Sequence, residues 1–245
     1  MEDEAMATID DDRMTKLVDE AIQKQQRKYM EASAGLRKWH CPSLSKSNFW
    51  RLIKANAEAI MAGRGVFRSY EIDDSNREIL NQMFLYVIGS EDCKWNIDKG
   101  IYLAGKVGCG KTLLLQSLCE VLHFISDHTI EMISAPELCR RIAEKGFDRF
   151  ATRPLFIDEL GRESLEINAF GIKIHPIKEL MSIRYNNGAR TFFTSNYKLS
   201  TLSKWRNEKG ELIGYGSDIG DRISEMSNIV EMPGESRREK WEQNL

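Results

Sequence analysis

Nowhere in these 245 residues does an apolar run last long enough to cross a bilayer. The first twelve residues are acidic and lack an apolar leader, so no secretory signal is expected. Cysteine is sparse: Cys41, Cys93, Cys109, Cys119 and Cys139 show neither C-x-x-C nor zinc-ligand spacing. His40-Cys41 is half a metal pair without a second half. An odd cysteine count suits a reducing compartment, and a cytoplasmic chain is expected. Internal repeats and low-complexity linkers are absent too. The formal net charge is only −2, so charge summed over the chain argues neither for nor against nucleic acid.

Charge is uneven along the chain. Residues 1–12 carry Glu2, Asp3, Glu4, Asp10, Asp11 and Asp12 and no base, and read as a disordered acidic tail. Residues 13–70 then hold twelve bases, from Arg13 and Lys16 through Arg64 and Arg68. A basic arm of this kind fits an acidic partner, nucleic acid included, or a solvated helical face. Met14, Leu17, Val18, Ala21 and Ile22 share one face of a helix over 14–30 that Gly35 is placed to end. A second helix is expected over 46–62, stopped by Gly63. Such a pair must bury its apolar stripes on the core or on another protein; docking on a partner is the favoured expectation. Residues 13–64 are therefore read as a helical, partner-binding arm and 65–245 as the main domain.

From residue 73 onward, strand and helix patterns alternate, which predicts an α/β fold with a parallel sheet and its ligand at the strands' C-terminal ends. Asp73 or Asp74 is placed to cap the first helix of this region. The segment IYLAGKVGCGKTLLLQ follows, with Gly105-x-x-x-x-Gly110-Lys111-Thr112 between a strand and a helix. That is the phosphate-binding loop pattern. The glycines let the backbone turn sharply, so that successive N–H groups from Val107, Gly108, Cys109 and Gly110 converge on an anion. The helix N-terminus, Thr112 and Leu113 included, adds unpaired donors and partial positive charge. Lys111 is placed to reach the terminal phosphates of ATP, and the Thr112 hydroxyl to ligate Mg²⁺.

RPLFIDEL, residues 153–160, supplies the acidic counterpart. Its apolar strand delivers Asp158 beside the phosphates, to hold Mg²⁺, and sets Glu159 to polarise the attacking water. TFFTSN, residues 191–196, ends another strand with Asn196 placed to orient that water. A further cluster, Arg140, Arg141, Lys145 and Arg149 around Phe147, combines cations with an aromatic ring. That composition suits single-stranded nucleic acid, or a solvated helix face.

With G-x-x-x-x-G-K-T, LFIDE, FFTSN and the late GDRISEM in hand, residues 65–245 resemble AAA+ ATPases. Within them the chain is most similar to the DnaC-type helicase loaders and IstB-type transposition helpers. The resemblance implies a sheet of order 5-1-4-3-2 with helices on both faces, no full C-terminal lid, and assembly into a ring or spiral. It places an arginine finger acting on a neighbouring subunit at Arg222. It places a second phosphate sensor at Arg238, with Arg237 left open as the alternative. It also places the adenine ring against Phe67 or Tyr70, and DNA contacts in the 137–149 region. The implied function is an ATP-hydrolysing loader that delivers a replicative helicase, gripped by residues 13–64, to single-stranded DNA. The alternatives are an IstB-type helper that binds duplex DNA and recruits a transposase, and a small-molecule kinase.

Overall fold

The computed structural model describes residues 11–37, 39–126, 128–169, 171–206, 208–210 and 214–237. Most of the acidic tail (1–10) and Arg238 lie outside the described residues. Two units are distinguished, residues 1–39 and 40–245. The first contains one helix, α1 (Asp11–Arg37), which runs on through Gly35 rather than ending there.

The second unit begins with α2 (Lys46–Ala62), capped by the Ser45 side chain accepting from the Asn48 N–H and closed at Gly63. After α3 (Arg77–Ile88) the alternation sets in: β1 (Gly100–Gly105), α4 (Lys111–Ser126), β2 (Glu131–Ser134), α5 (Ala135–Lys145) and β3 (Leu155–Leu160). A short antiparallel hairpin follows, β4 (Ile167–Ala169) with β5 (Ile172–Ile174), then α6 (Pro176–Asn186) and β6 (Thr191–Ser195). The chain continues through α7 (Leu199–Lys204), α8 (Ser217–Met226) and β7 (Ser227–Met232). The cap of α3 is Asn76, not Asp73 or Asp74; Asp73 instead accepts from the Ser75 N–H and hydroxyl.

The five-stranded sheet runs β2-β3-β6-β1-β7, every pair parallel. Numbering only these strands and reading from the other edge gives 5-1-4-3-2, the order expected. Ile101, Tyr102, Leu103 and Ala104 of β1 are all buried. Successive strand residues point to opposite faces, so both faces of the sheet are covered. One face joins Tyr102, Leu155, Ile157 and Phe193 to Leu138, Ile142, Leu180, Ile219 and Ile223 of the helices.

The helical arm expected over 13–64 is corrected here. α2 packs on α4 and buries Phe49, Ile53, Ala57 and Met61, an i, i+4 stripe. Burying a large apolar side chain is worth about 1.5–3 kcal/mol, so α2 belongs with the core. The boundary falls at residues 39 and 40, not at 64 and 65.

Candidate nucleotide-binding site

The C-terminal ends of β1, β3 and β6 meet at one cleft of about 550 Å³, lined by Gly108, Gly110, Lys111, Thr112, Leu113, Val107, Glu159, Thr194, Ser195 and Asn196 among others. Gly108 and Gly110 hold left-handed backbone, φ 83° and 103°, which is what turns the loop from β1 into α4. A Cβ on Gly108 would also lie 2.3 Å from the Ser236 hydroxyl. Cys109 and Lys111 are buried within the loop.

The Lys111 ammonium donates to the Gly105 and Lys106 carbonyls at 2.8 Å each and to Asn196 Oδ1 at 3.0 Å. Two motifs 85 residues apart thus share a hydrogen bond. Asn196 is set by its neighbours: the Ser195 hydroxyl donates to the Leu160 carbonyl at 2.7 Å, and the Tyr102 hydroxyl to the Tyr197 carbonyl at 2.9 Å. The Thr112 hydroxyl donates to Asp158 Oδ1 at 2.8 Å, and the Thr194 hydroxyl donates to the same oxygen. A hydroxyl and a carboxylate at this spacing are hard oxygen donors and fit a Mg²⁺ that keeps several waters and phosphate ligands. Among the described residues no group of three or more His, Cys, Asp or Glu side chains could hold a metal without such outside ligands.

Glu159 is the lone non-glycine residue with positive φ among those described, at 56°. The β3–β6 register shifts between Ile157 and Leu160, and the Glu159 N–H donates to Thr194 Oγ1 at 3.0 Å instead of continuing the ladder.

A second cavity of about 310 Å³ adjoins the loop, lined by Met61, Tyr70, Asp73, Cys109, Leu113, Met232 and Arg237 among others. Its apolar side chains suit a base. Of the two aromatic candidates, Tyr70 lines it; burial pushes that phenol up to about 12. Phe67 is 85% exposed and lines neither cavity. Arg237 crosses the loop: its N–H donates to the Gly108 carbonyl at 3.0 Å, and its guanidinium to Asp73 at 2.8 Å and Ser75 at 2.6 Å. Lys106 and Glu235 form an ion pair beside it.

Arg222 is not brought to the cleft. It lies on α8 with its guanidinium 5.6 Å from the Tyr185 ring centroid. The arginines of α5 and of the turn after it are paired within the chain. Arg140 pairs with Glu137 and Glu144, Arg141 with Glu137 and Glu131, and Arg149 with Glu131. The Arg140 and Arg141 guanidiniums pull the Glu137 carboxyl down to about 2. Three arginines are matched by three glutamates inside the chain, but the arginine side chains stay 37–59% exposed, where such pairs are weak.

Three arginines of the cleft were not foreseen: Arg64, Arg68 and Arg162. Both Arg64 and Arg68 sit just beyond α2; Arg64 ends the stretch read as a partner-binding arm, and Arg68 lies at the start of the main domain. Arg162 follows Glu159 by three residues, a spacing that only the turn after β3 makes meaningful.

The parallel sheet of this order, the glycine loop between β1 and α4, and the Asp158 and Asn196 strand ends define an AAA+ type of P-loop core. Within that class the chain is similar to a DnaI helicase loader in sequence and to DnaC in fold. No protein-family model matches it. Its sequence is 25% identical over 186 residues to the replicative helicase loader DnaI of Bacillus subtilis (strain 168). The match covers 70% of this chain and 58% of that protein, so the chain spans less than two thirds of this relative. A solved DnaI structure matches with TM-score 0.51 and 25% identity over 68% of this chain and 86% of that one. The solved DnaC helicase loader matches in fold, with TM-score 0.50 and 20% identity over 76% of this chain and 98% of that one.

Proposed function

We propose that this chain is an ATP-hydrolysing helicase loader, acting in the cytoplasm in DNA replication. The meeting of Lys111, Thr112, Asp158, Glu159 and Asn196 at one cleft carries the chemical half of the reading. The likeness to DnaI supports the biological half. On this reading, ATP enters with its base in the smaller cavity beside Tyr70. Lys111 exchanges the carbonyls of Gly105 and Lys106 for phosphate oxygens, a charge-assisted trade. Thr112 and Asp158 would hold Mg²⁺, which neutralises charge on the phosphates when bound. Glu159 polarises the attacking water and Asn196 orients it. Arg237, already across the loop, takes the sensing role that the resemblance left open between it and Arg238. The partners are a replicative helicase, single-stranded DNA and further copies of the chain.

Nucleotide binding and turnover of two variants test the site. Lys111→Ala should lose productive ATP binding while keeping its fold. Glu159→Gln should bind ATP with Mg²⁺ and hydrolyse it about 10²–10⁴-fold more slowly. Unchanged affinity in the first variant, or unchanged turnover in the second, removes that residue from its role. Capture of a replicative helicase by the full chain tests the loader reading; capture of a transposase with duplex DNA instead would replace it.

A further inference from the structure

One wall of the smaller cavity is a single stretch of chain: Arg68, Ser69, Tyr70, Glu71 and Asp73 all line it. That stretch lies between α2 and α3, in neither helix nor strand, so side chains must fix it. Asn76 does most of this. It is fully buried and lines neither cavity. Its Nδ2 donates to the Glu71 carbonyl at 3.0 Å and to the Tyr70 hydroxyl at 3.3 Å, and its Oδ1 accepts from the Asp73 N–H at 3.0 Å. A carbonyl only accepts and an N–H only donates, so the two backbone partners fix which way the amide points. Asn76 also stands at the N-cap of α3, where an asparagine oxygen ordinarily accepts from the first N–H groups of the helix. It makes no such bond. The amide serves the cavity wall instead of the helix. A second brace comes from α2, where Glu58 accepts at Oε1 from the Tyr70 N–H and the Ser69 hydroxyl, at 3.0 Å each. Glu58 lines neither cavity either. Tyr70 is thereby held at both ends, its N–H by Glu58 and its hydroxyl by Asn76.

We infer that Asn76 and Glu58 are positioning residues that set the wall on which a nucleotide's base rests, and with it the chain's preference for a nucleotide over bare polyphosphate. The inference rests on the nucleotide reading of the same site. Phosphates are taken by the loop between β1 and α4; the base is taken by a wall built from a different segment. Loosening the wall therefore weakens the base's share of binding and leaves the phosphates' share. Tyr70 would still be present in a loosened wall, but it would have to be ordered by each incoming ligand, and such ordering subtracts from affinity. Glu58 grips Ser69 and Tyr70 rather than Asp73, so its variants leave the contact between Asp73 and Arg237 in place.

The test measures, by calorimetric titration of the full chain with Mg²⁺ present, the affinity for a non-hydrolysable ATP analogue and for inorganic tripolyphosphate. Asn76→Asp keeps the size and the acceptor but sets a carboxylate oxygen against the Glu71 carbonyl. Glu58→Ala removes the brace from α2. Each should weaken the analogue on the order of ten-fold, about the worth of one hydrogen bond, and leave tripolyphosphate within about two-fold. Glu58→Gln, which keeps the accepting oxygen, should bind both ligands as the unsubstituted chain does. Thermal melting checks that each variant is folded; where Asn76→Asp is not, Glu58→Ala against Glu58→Gln decides. The inference is overturned if the ratio of the two affinities is unchanged in the folded variants, if both ligands weaken equally, or if Glu58→Gln is as weak as Glu58→Ala. An unsubstituted chain that binds the two ligands equally well makes no use of the base cavity, and the inference falls while the phosphate loop stands. An unsubstituted chain that binds neither removes the nucleotide reading as well.

Discussion

Arg184 is fully buried, and among the described residues no carboxylate pairs with it. Burial pulls its guanidinium down to about 10. Its donors go instead to the carbonyls of Phe150, Arg153 at 3.0 Å and Arg190 at 2.8 Å, and to the Thr191 hydroxyl at 2.9 Å. The side chain thus ties α6 to the entry ends of β3 and β6, the strands whose far ends carry Asp158 and Asn196. Arg184→Met would leave the buried Phe150 carbonyl without this donor and weaken the other two, of which that of Arg190 keeps the Leu155 N–H at 3.2 Å; an unpaired buried carbonyl costs about 1–3 kcal/mol. A loss of roughly 2–5 kcal/mol is expected, read as a melting temperature lower by about 5–15 °C. Arg184→Lys should not rescue it, because an ammonium cannot span the fork. A fall of under about 2 °C in either variant would show that water replaces the guanidinium at little loss. Sequence reading passed over this residue. An arginine in a helix looks like a surface charge until the fold closes above it.

Among elements, α2 departs from the part expected of it and α5 shows its arginines in ion pairs. α2, read as an arm for a partner, is core: Phe49 and Ile53 are fully buried against its own domain. Ile53→Ala should cost about 2–5 kcal/mol of stability, measured by denaturant unfolding, with Arg51→Ala near neutral as the exposed control. If Ile53→Ala is near neutral, α2 contributes little to the core. α5, read as a nucleic-acid face or a solvated one, has Arg140 and Arg141 in ion pairs with Glu131, Glu137 and Glu144. Replacing Arg140 and Arg141 by Ala should change single-strand binding and its salt dependence little. A slope that falls by about 0.7 for each of the two arginines would return α5 to the DNA interface. The difference in legibility has a physical cause. Motifs such as G-x-x-x-x-G-K-T and LFIDE are local, so their strands, turn and helix follow from neighbours in sequence. The sheet order came from the resemblance, and the chain obeys it. What α2 packs on, and which acid meets which base, are set between distant segments; Arg149 meets Glu131 across 18 residues and Lys111 meets Asn196 across 85. Amphipathic spacing records that a face must be buried without recording by what.

For the molecule as a whole, the site is incomplete in one respect that the proposed function needs. Arg222, the expected finger, is on α8 against Tyr185 and does not line the cleft of its own chain. Hydrolysis should therefore rise with protein concentration, or when DNA or helicase aligns copies. Mixing Lys111→Ala with Arg222→Ala under those conditions should restore part of the activity, because some interfaces pair an intact loop with an intact arginine. Mixtures as inactive as each variant alone would remove the trans-acting role. The segment from Glu235 to Arg237 has a more practical bearing. It is bonded to Lys106, Gly108, Asp73 and Ser75 around the phosphate loop. A tag or reporter fused directly to Arg237 would therefore be attached at the rim of the nucleotide cleft. Turnover measured with a handle fused there would be measured through an obstructed doorway.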